Sequence, residues 1–382
     1  MRNGLNIAAV SELVHEIQAS PEEAPVRLRT RVAPLSAGLV QVEVATLWGG
    51  TIRVARDFRF LAVSGPNGQP SIGNHYDHLL VALGGCVLVT FVQGCSARGI
   101  TIGSASVSVA ATMGADREGR PFLGGVAYEY ETDCDGEPAV LLDIAKYVAC
   151  LSPNHRAFIE RASVRVNFGS EFGDPSPDLV VSDVDGADPQ LVAWTGVSLR
   201  NARVSWVYGT QLRARVNSDC EMLVDQPKQY LGLDSAPNPQ EYLLAAAGVQ
   251  FVYELALEAH RHNIALGEIS IQTGGSLDLR GLTNVDPSAI VRVHDIAHTI
   301  STEPGLPVHK LAPLARAASG RCLVHAAICR EQTIDVALTA RGEPIGAFRS
   351  DLGMLADYLA ELARRREAAV AAAAAASREN PQ

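Results

Sequence analysis

Cys86 stands in an almost wholly apolar run: from Leu79 to Ala97 no residue is charged. A thiol in such a place is a nucleophile, a redox centre or an ordinary core residue. Just upstream, in "NHYDHLL", His75 and His78 flank Asp77. A thiol with an imidazole in reach is a nucleophile with its base. Without a second thiol, that arrangement suits hydrolysis, acyl transfer or sulfur transfer. The same histidines also read as solvated residues capping a helix start. Farther on, "VHDIAHTI" spaces His294 and His298 as i, i+4, a metal-pair pattern with no third convergent ligand, so no metal is expected. No GxGxxG, P-loop or GxSxG run occurs, which leaves nucleotide binding and serine-hydrolase chemistry without a motif. No organic cofactor is expected.

The chain that must position these groups has 382 residues, 47% of them hydrophobic, and a formal net charge of -10. That length suits two domains, or one domain duplicated. The acidic balance argues against nucleic acid, since phosphate contacts need clustered Lys and Arg. The opening "MRNGLNIAAVSELVHEIQ" reads as an amphipathic helix and lacks the charged-then-apolar layout of an export signal. The seven cysteines are therefore expected to be free thiols in a reducing, cytoplasmic setting. The run 79–97 is long enough to consider as a membrane span. Gly84, Gly85, Gln93, Gly94 and Ser96 interrupt it, and basic flanks are sparse, so the expectation is a helix buried in a protein core, with no membrane partner.

The chain repeats itself. "NHYDHLLVALGGCVLVTFVQGCSARGITIGSASVSV" from Asn74 aligns without a gap on "NPQEYLLAAAGVQFVYELALEAHRHNIALGEISIQT" from Asn238, at a constant offset of 164. Gly84 meets Gly248, Ile100 meets Ile264 and Ser106 meets Ser270. The second copy carries Glu241, Glu254 and Glu258, which would cross a bilayer at high cost. Downstream, "SPNHRAFIERASVRVNF" resembles "CLVHAAICREQTIDVAL" at an offset of 170, His155 meeting His325. Each half reads as alternating strands, a long apolar helix, a further strand, a helix (about 138–150 and 306–320) and a closing strand. The implied division is an N-terminal helix at 1–24, a first repeat at 25–170, a Pro- and Asp-rich linker at 171–190, a second repeat at 191–345, and an Ala- and Arg-rich helical tail at 346–382 without chemistry.

The stretch "VDQPKQYLGLDSAPNPQEYLLAAAG", 224–248, resembles the signature of the OsmC/Ohr family, the osmotically inducible and organic-hydroperoxide-resistance proteins, and "GGCVLVTF" supplies that family's helix cysteine in the first half. The resemblance covers about 25–168 and 191–340. It implies an α+β fold in tandem duplicate, each half an antiparallel-rich sheet with a long central helix. The two halves would form an internal pseudo-dimer, the whole being a monomer or a homodimer. It also implies thiol-dependent reduction of organic hydroperoxides. A thiolate attacks the O–O bond and becomes a sulfenic acid, a second thiol condenses with it, and an external dithiol reduces the disulfide. Such a thiol needs a lowered pKa, usually from an Arg, and an apolar pocket.

Against that pattern each half keeps one cysteine and loses the other. The helix position is Cys86 in the first half and Gln250 in the second. The second-motif position is Ser152 in the first and Cys322 in the second. The family's carboxylate, ten residues before the helix cysteine, falls on Tyr76 and Gln240, with Asp77 and Glu241 as adjacent stand-ins. Cys150, two residues before Ser152, is a candidate resolving thiol. On a continuous helix it faces roughly 200° away, but Pro153 disfavours helix at Ser152 and the turn there could swing Cys150 inward. Cys95, Cys134, Cys220 and Cys329 read as bystanders or core. Arg29, Arg31, Arg53 and Arg203 are all strand candidates for the activating cation. The expected catalytic set is thus Cys86 as attacking thiol, with Cys150, Cys322, Asp77, His75 and His78. Tyr76, Ser152, Gln250 and Glu241 would line the pocket for a small apolar hydroperoxide. The alternatives are a non-peroxidase enzyme using Cys86 with His75 or His78, and a non-catalytic protein that binds a small ligand.

Overall fold

The computed structural model describes residues 1–36, 38–65, 69, 71–169, 177–182, 184, 198–216 and 219–379. In the first half α1 (Ile7–Ala19) leads into β1 (Pro25–Ser36), β2 (Leu39–Gly49) and β3 (Ile52–Val63). Then come α2 (His75–Ala97), β4 (Ile102–Ala115), β5 (Pro121–Cys134), α3 (Pro138–Leu151), α4 (Pro153–Ile159), β6 (Val164–Phe168) and β7 (Pro177–Val181). In the second half β8 (Ser198–Tyr208), β9 (Gln211–Val216) and β10 (Cys220–Val224) precede α5 (Pro239–Arg261), β11 (Glu268–Asp278) and the short α6 (Leu279–Leu282). After these follow β12 (His294–Glu303), α7 (Val308–Arg321), α8 (Leu323–Cys329), β13 (Ile334–Ala340), β14 (Glu343–Ser350) and α9 (Leu352–Glu379).

The strands make two seven-stranded sheets, ordered β3-β2-β1-β11-β12-β6-β7 and β10-β9-β8-β4-β5-β13-β14. Replacing each strand of the first half by its counterpart in the second, and the reverse, turns one order into the other. Both sheets are mixed between halves: β1 pairs antiparallel with β11, with Arg29 opposite Gly274, and β4 pairs antiparallel with β8, with Ser108 opposite Arg203. One parallel pair interrupts each otherwise antiparallel sheet, β12 with β6 and β13 with β5. The architecture is α+β. The stretch read as linker holds a strand, β7, which continues the first sheet, because Val164 to Val166 offer it a free edge. Positions 171–176, 183 and 185–190 of that stretch, and the first part of the strand expected from 191, lie outside the described residues.

Between the sheets lie the two long helices. Helix α2 packs on β4, β8 and β9, α5 packs on β1 and β11, and the helices pack on each other. By length and composition both could cross a membrane, yet 83% and 78% of their most apolar windows are buried inside the protein. Leu79, Leu80, Leu83, Leu88 and Phe91 of α2 are fully enclosed, each contributing about 1.5–3 kcal/mol of burial. Gly84 allows the close approach. A Cβ there would stand 2.8 Å from Val109 and 2.9 Å from Val204, and its counterpart Gly248 meets Thr273 at 2.8 Å. Each helix starts with a capping box. Asn74 accepts from Tyr76 and Asp77 amides while the Asp77 carboxylate accepts from the Asn74 amide at 2.9 Å; Asn238 and Glu241 do the same. The C-terminal helix is more than a tail: Leu355 and Tyr358 are buried, and the Tyr358 hydroxyl donates to Asp143 on α3 at 2.8 Å.

Candidate active site

Cys86 lies halfway along α2, 1% exposed. Pro153 cannot continue α3, so Ser152 is extended (φ -80, ψ 115) and α4 begins afresh. That turn delivers two donors to the sulfur: the Ser152 hydroxyl at 3.0 Å and the Asn154 amide at 3.5 Å. A third comes from the other half, the Gln240 side-chain amide at 3.1 Å. The Asn154 side chain locks the arrangement by donating to the carbonyls of Ala82 on α2 and Pro239 on α5, at 2.7 and 2.9 Å. Asn154 had no signal in the sequence except its place two residues after Ser152.

The three donors favour a thiolate, but all are neutral and burial outweighs them. The Cys86 thiol is pushed up to about 11 by desolvation, with the bonds from Ser152, Asn154 and Gln240 opposing the rise. The lowered pKa expected of an attacking thiol is absent. None of the arginines proposed to activate it touches it. Arg203 pairs with Glu131 at 2.6 Å on the surface, Arg53 stacks on Trp48, Arg31 reaches Ser270, and Arg29 points to solvent. The buried arginine is one that sequence reasoning missed, Arg56 on β3. It bonds Glu241, the Asp234 carboxylate at 2.7 Å and the Ala236 carbonyl at 3.1 Å. Glu241 is thus a cap and an ion-pair partner; burial raises its pKa and Arg56 works against the rise. Asp77 is likewise a capping carboxylate.

The structure separates the other candidates from Cys86. Cys150 does not swing inward: α3 stays helical through Leu151, and the Cys150 sulfur faces the Leu355 carbonyl of α9 at 4.0 Å. His78 and His75 precede Cys86 by eight and eleven residues on one continuous helix, so they sit roughly 12 and 16 Å away along its axis and cannot be its base. They are also not solvated. Each is 1% exposed, and burial lowers them to about 4 and about 3. His75 lies edge-on to Tyr76 and interacts with the Ser64 backbone, and His78 stacks on Tyr242 at 5.8 Å. His294 and His298 lie on a strand, where four residues span roughly 13 Å. His294 pairs with Asp295, and His298 with Thr273 and His325.

At the related place in the second half, Gln250 takes the position of Cys86. Its side-chain oxygen accepts from the Cys322 thiol at 3.4 Å and from the Val324 amide at 2.9 Å. Burial and the nearby carboxylate of Glu254 hold Cys322 well above the ordinary thiol range. Tyr76 belongs to this side, as Gln240 belongs to the Cys86 side; its phenol interacts with Glu254 and Cys322. Glu254, one turn beyond Gln250, is raised to about 7 by burial, with Arg321 and Arg261 opposing and Glu258 adding to the rise. All seven cysteines are free thiols. In each site the thiol is hydrogen-bonded to a side chain without sulfur, Ser152 beside Cys86 and Gln250 beside Cys322.

No curated protein matches this chain. Residues 232–337, from the loop before α5 into β13, match the family described as OsmC-like protein. This stretch, which holds Glu241, Gln250 and Cys322 but not Cys86, is an OsmC-like domain.

Proposed function

We propose that residues 25–170 are a second, diverged OsmC-like repeat, that the two repeats form an internal pseudo-dimer, and that Cys86 is a single-cysteine reductant of small organic hydroperoxides. The observation that carries this reading is the convergence of three donors on one sulfur. As the Cys86 sulfur attacks the peroxide, an S–O bond forms and the O–O bond breaks. The alcohol leaves with a proton and Cys86 becomes a sulfenic acid. Ser152, Asn154 and Gln240 are placed to bond the developing negative charge. Ser152 cannot form a disulfide, so an external dithiol attacks the sulfenic sulfur, water leaves, and the dithiol's second thiol releases Cys86 as its own disulfide closes. A reducing cytoplasm suits these free thiols, and the reaction needs no metal or organic cofactor.

The test is consumption of cumene hydroperoxide with dithiothreitol at pH 9, together with dimedone trapping. Turnover that Cys86→Ser abolishes and Cys322→Ser leaves largely intact supports the reading. Absence of both turnover and a Cys86 adduct refutes it. In that case a second reading takes over, a small-ligand-binding protein, which the burial of Cys86 and its high pKa favour.

A further inference from the structure

The outer faces of the two sheets differ in charge. On the sheet that holds β8, β9 and β14, the exposed arginines Arg203, Arg213, Arg215 and Arg349 all pair with carboxylates, those of Glu131, Glu221 and Asp335. On the other sheet, burial alternates along β1 and turns Arg27 and Arg29 outward side by side. Trp48 of β2 stands between Arg27 and Arg53, its cross-strand partners on either side, and the Arg53 guanidinium lies 5.8 Å from the centre of its ring. On β11 the neighbours of Arg27 and Arg29 are Ser276 and Gly274, too small to cover them. Among the described residues Arg27, Arg29 and Arg53 form no ion pair. A matching excess of carboxylates lies beside them. Glu12 and Glu16 stand one turn apart on the exposed side of α1, and Glu22 and Glu23 follow, also exposed, before β1. None of these four forms an ion pair among the described residues either. The chain holds them next to the arginine face without letting them reach it. A Cβ on Gly50, in the turn that leads to Arg53, would stand 2.9 Å from the Glu23 Cα, and α1 is anchored by the buried Ile17.

We propose that these two patches join two copies of the whole chain, the acidic α1 of each copy lying across the arginine face of the other. The spacing agrees. Two positions along a strand and one turn of a helix both advance about 6–7 Å, so Arg27 and Arg29 match Glu16 and Glu12 pair for pair. Acidic and basic patches adjoin on one side of the molecule, so a single twofold rotation makes both contacts at once, as an isologous interface requires. Half-buried Trp48 and exposed Ile52 give the contact an apolar centre. Arginine and tryptophan are the side chains that most often anchor such interfaces. This pairing is separate from that of the two repeats, which meet through α2, α5 and the shared sheets within one chain. Each copy carries a net charge of -10. The attraction is therefore local to the touching patches, and salt weakens it.

The experiment measures the mass of the full-length protein by sedimentation velocity over a range of protein concentrations. Wild type should dimerise in about 0.05 M salt, and its dissociation constant should rise at least about tenfold by about 0.5 M. Arg27→Glu combined with Arg29→Glu should be monomeric, and so should Glu12→Arg combined with Glu16→Arg. An equimolar mixture of these two variants should dimerise again, because each lost attraction returns between unlike partners. That recovery also shows that both variants are folded. Arg349→Glu, on the other sheet, should dimerise as the wild type does. A wild type that stays monomeric at low salt, a double variant that still dimerises, or a mixture that remains monomeric would overturn the assignment.

Discussion

Gln240, in the first turn of α5, donates its side-chain amide to the sulfur of Cys86 in the middle of α2 at 3.1 Å. A residue of the second half thus completes the thiol environment of the first. The hydrogen bonds of the two sites mirror each other with their chemistry exchanged. A hydroxyl donates to a thiol where Ser152 meets Cys86, and a thiol donates to an amide where Cys322 meets Gln250.

With Cys86 held up to about 11, roughly one molecule in ten thousand carries its thiolate at pH 7. Its alkylation by iodoacetamide should therefore be slow at neutral pH and rise about tenfold per pH unit between pH 7 and 10, read by peptide mass spectrometry. A rate already flat above pH 7 would mean that an unrecognised cation lowers the thiol.

The Ser152 oxygen stands 3.0 Å from the Cys86 sulfur. Ser152→Cys should accordingly supply the absent resolving thiol. One equivalent of hydroperoxide is expected to remove two thiols, join residues 86 and 152, and abolish the dimedone adduct expected of the wild type. A persistent sulfenic acid in this variant would show that the turn at Pro153 holds the two positions in a geometry a disulfide cannot use.

Removing Arg56 strands the buried Glu241 carboxylate. Arg56→Met should destabilise the fold by about 3–5 kcal/mol in urea unfolding, and adding Glu241→Gln should return much of that loss. Gln240 is the next residue to Glu241, so the single variant should also expose Cys86 and speed its alkylation.

Glu254 binds its proton more tightly folded, at about 7, than its ordinary 4.5. Its contribution to stability is full below the unfolded value and is lost as pH rises through the folded one. Between pH 4.5 and 7 the fold should lose about 2 kcal/mol from this group. Glu254→Gln should flatten that slope in denaturant midpoints measured across the window. A slope unchanged in the variant would assign it elsewhere.

The sequence made the long helices legible because an uninterrupted apolar run has few homes, and the repeat ruled out the most obvious of them. Helices α3 and α7 fell within two residues of their expected bounds because their apolar spacing and flanking prolines are local signals. The site was harder to read. Asp77 and Glu241 looked like stand-in catalysts, but three-residue spacing from Asn74 and Asn238 makes each a cap. Cys150 could be assigned only by knowing which side of a single turn faces α2. Arg56 sits in a strand whose neighbours Arg53 and Arg59 are exposed, and only the partner half, through Glu241 and Asp234, explains why it is buried.

Every β-sheet here takes strands from both halves, so neither half closes its own layer. In a two-chain assembly of this design, dilution would pull the partners apart, and any substitution would appear at both sites at once. Joining them in one chain fixes the effective concentration of each half around the other. It also lifts the obligation to match. One site can keep sulfur on its helix while the other carries an amide, and the shared sheets hold both to the same geometry.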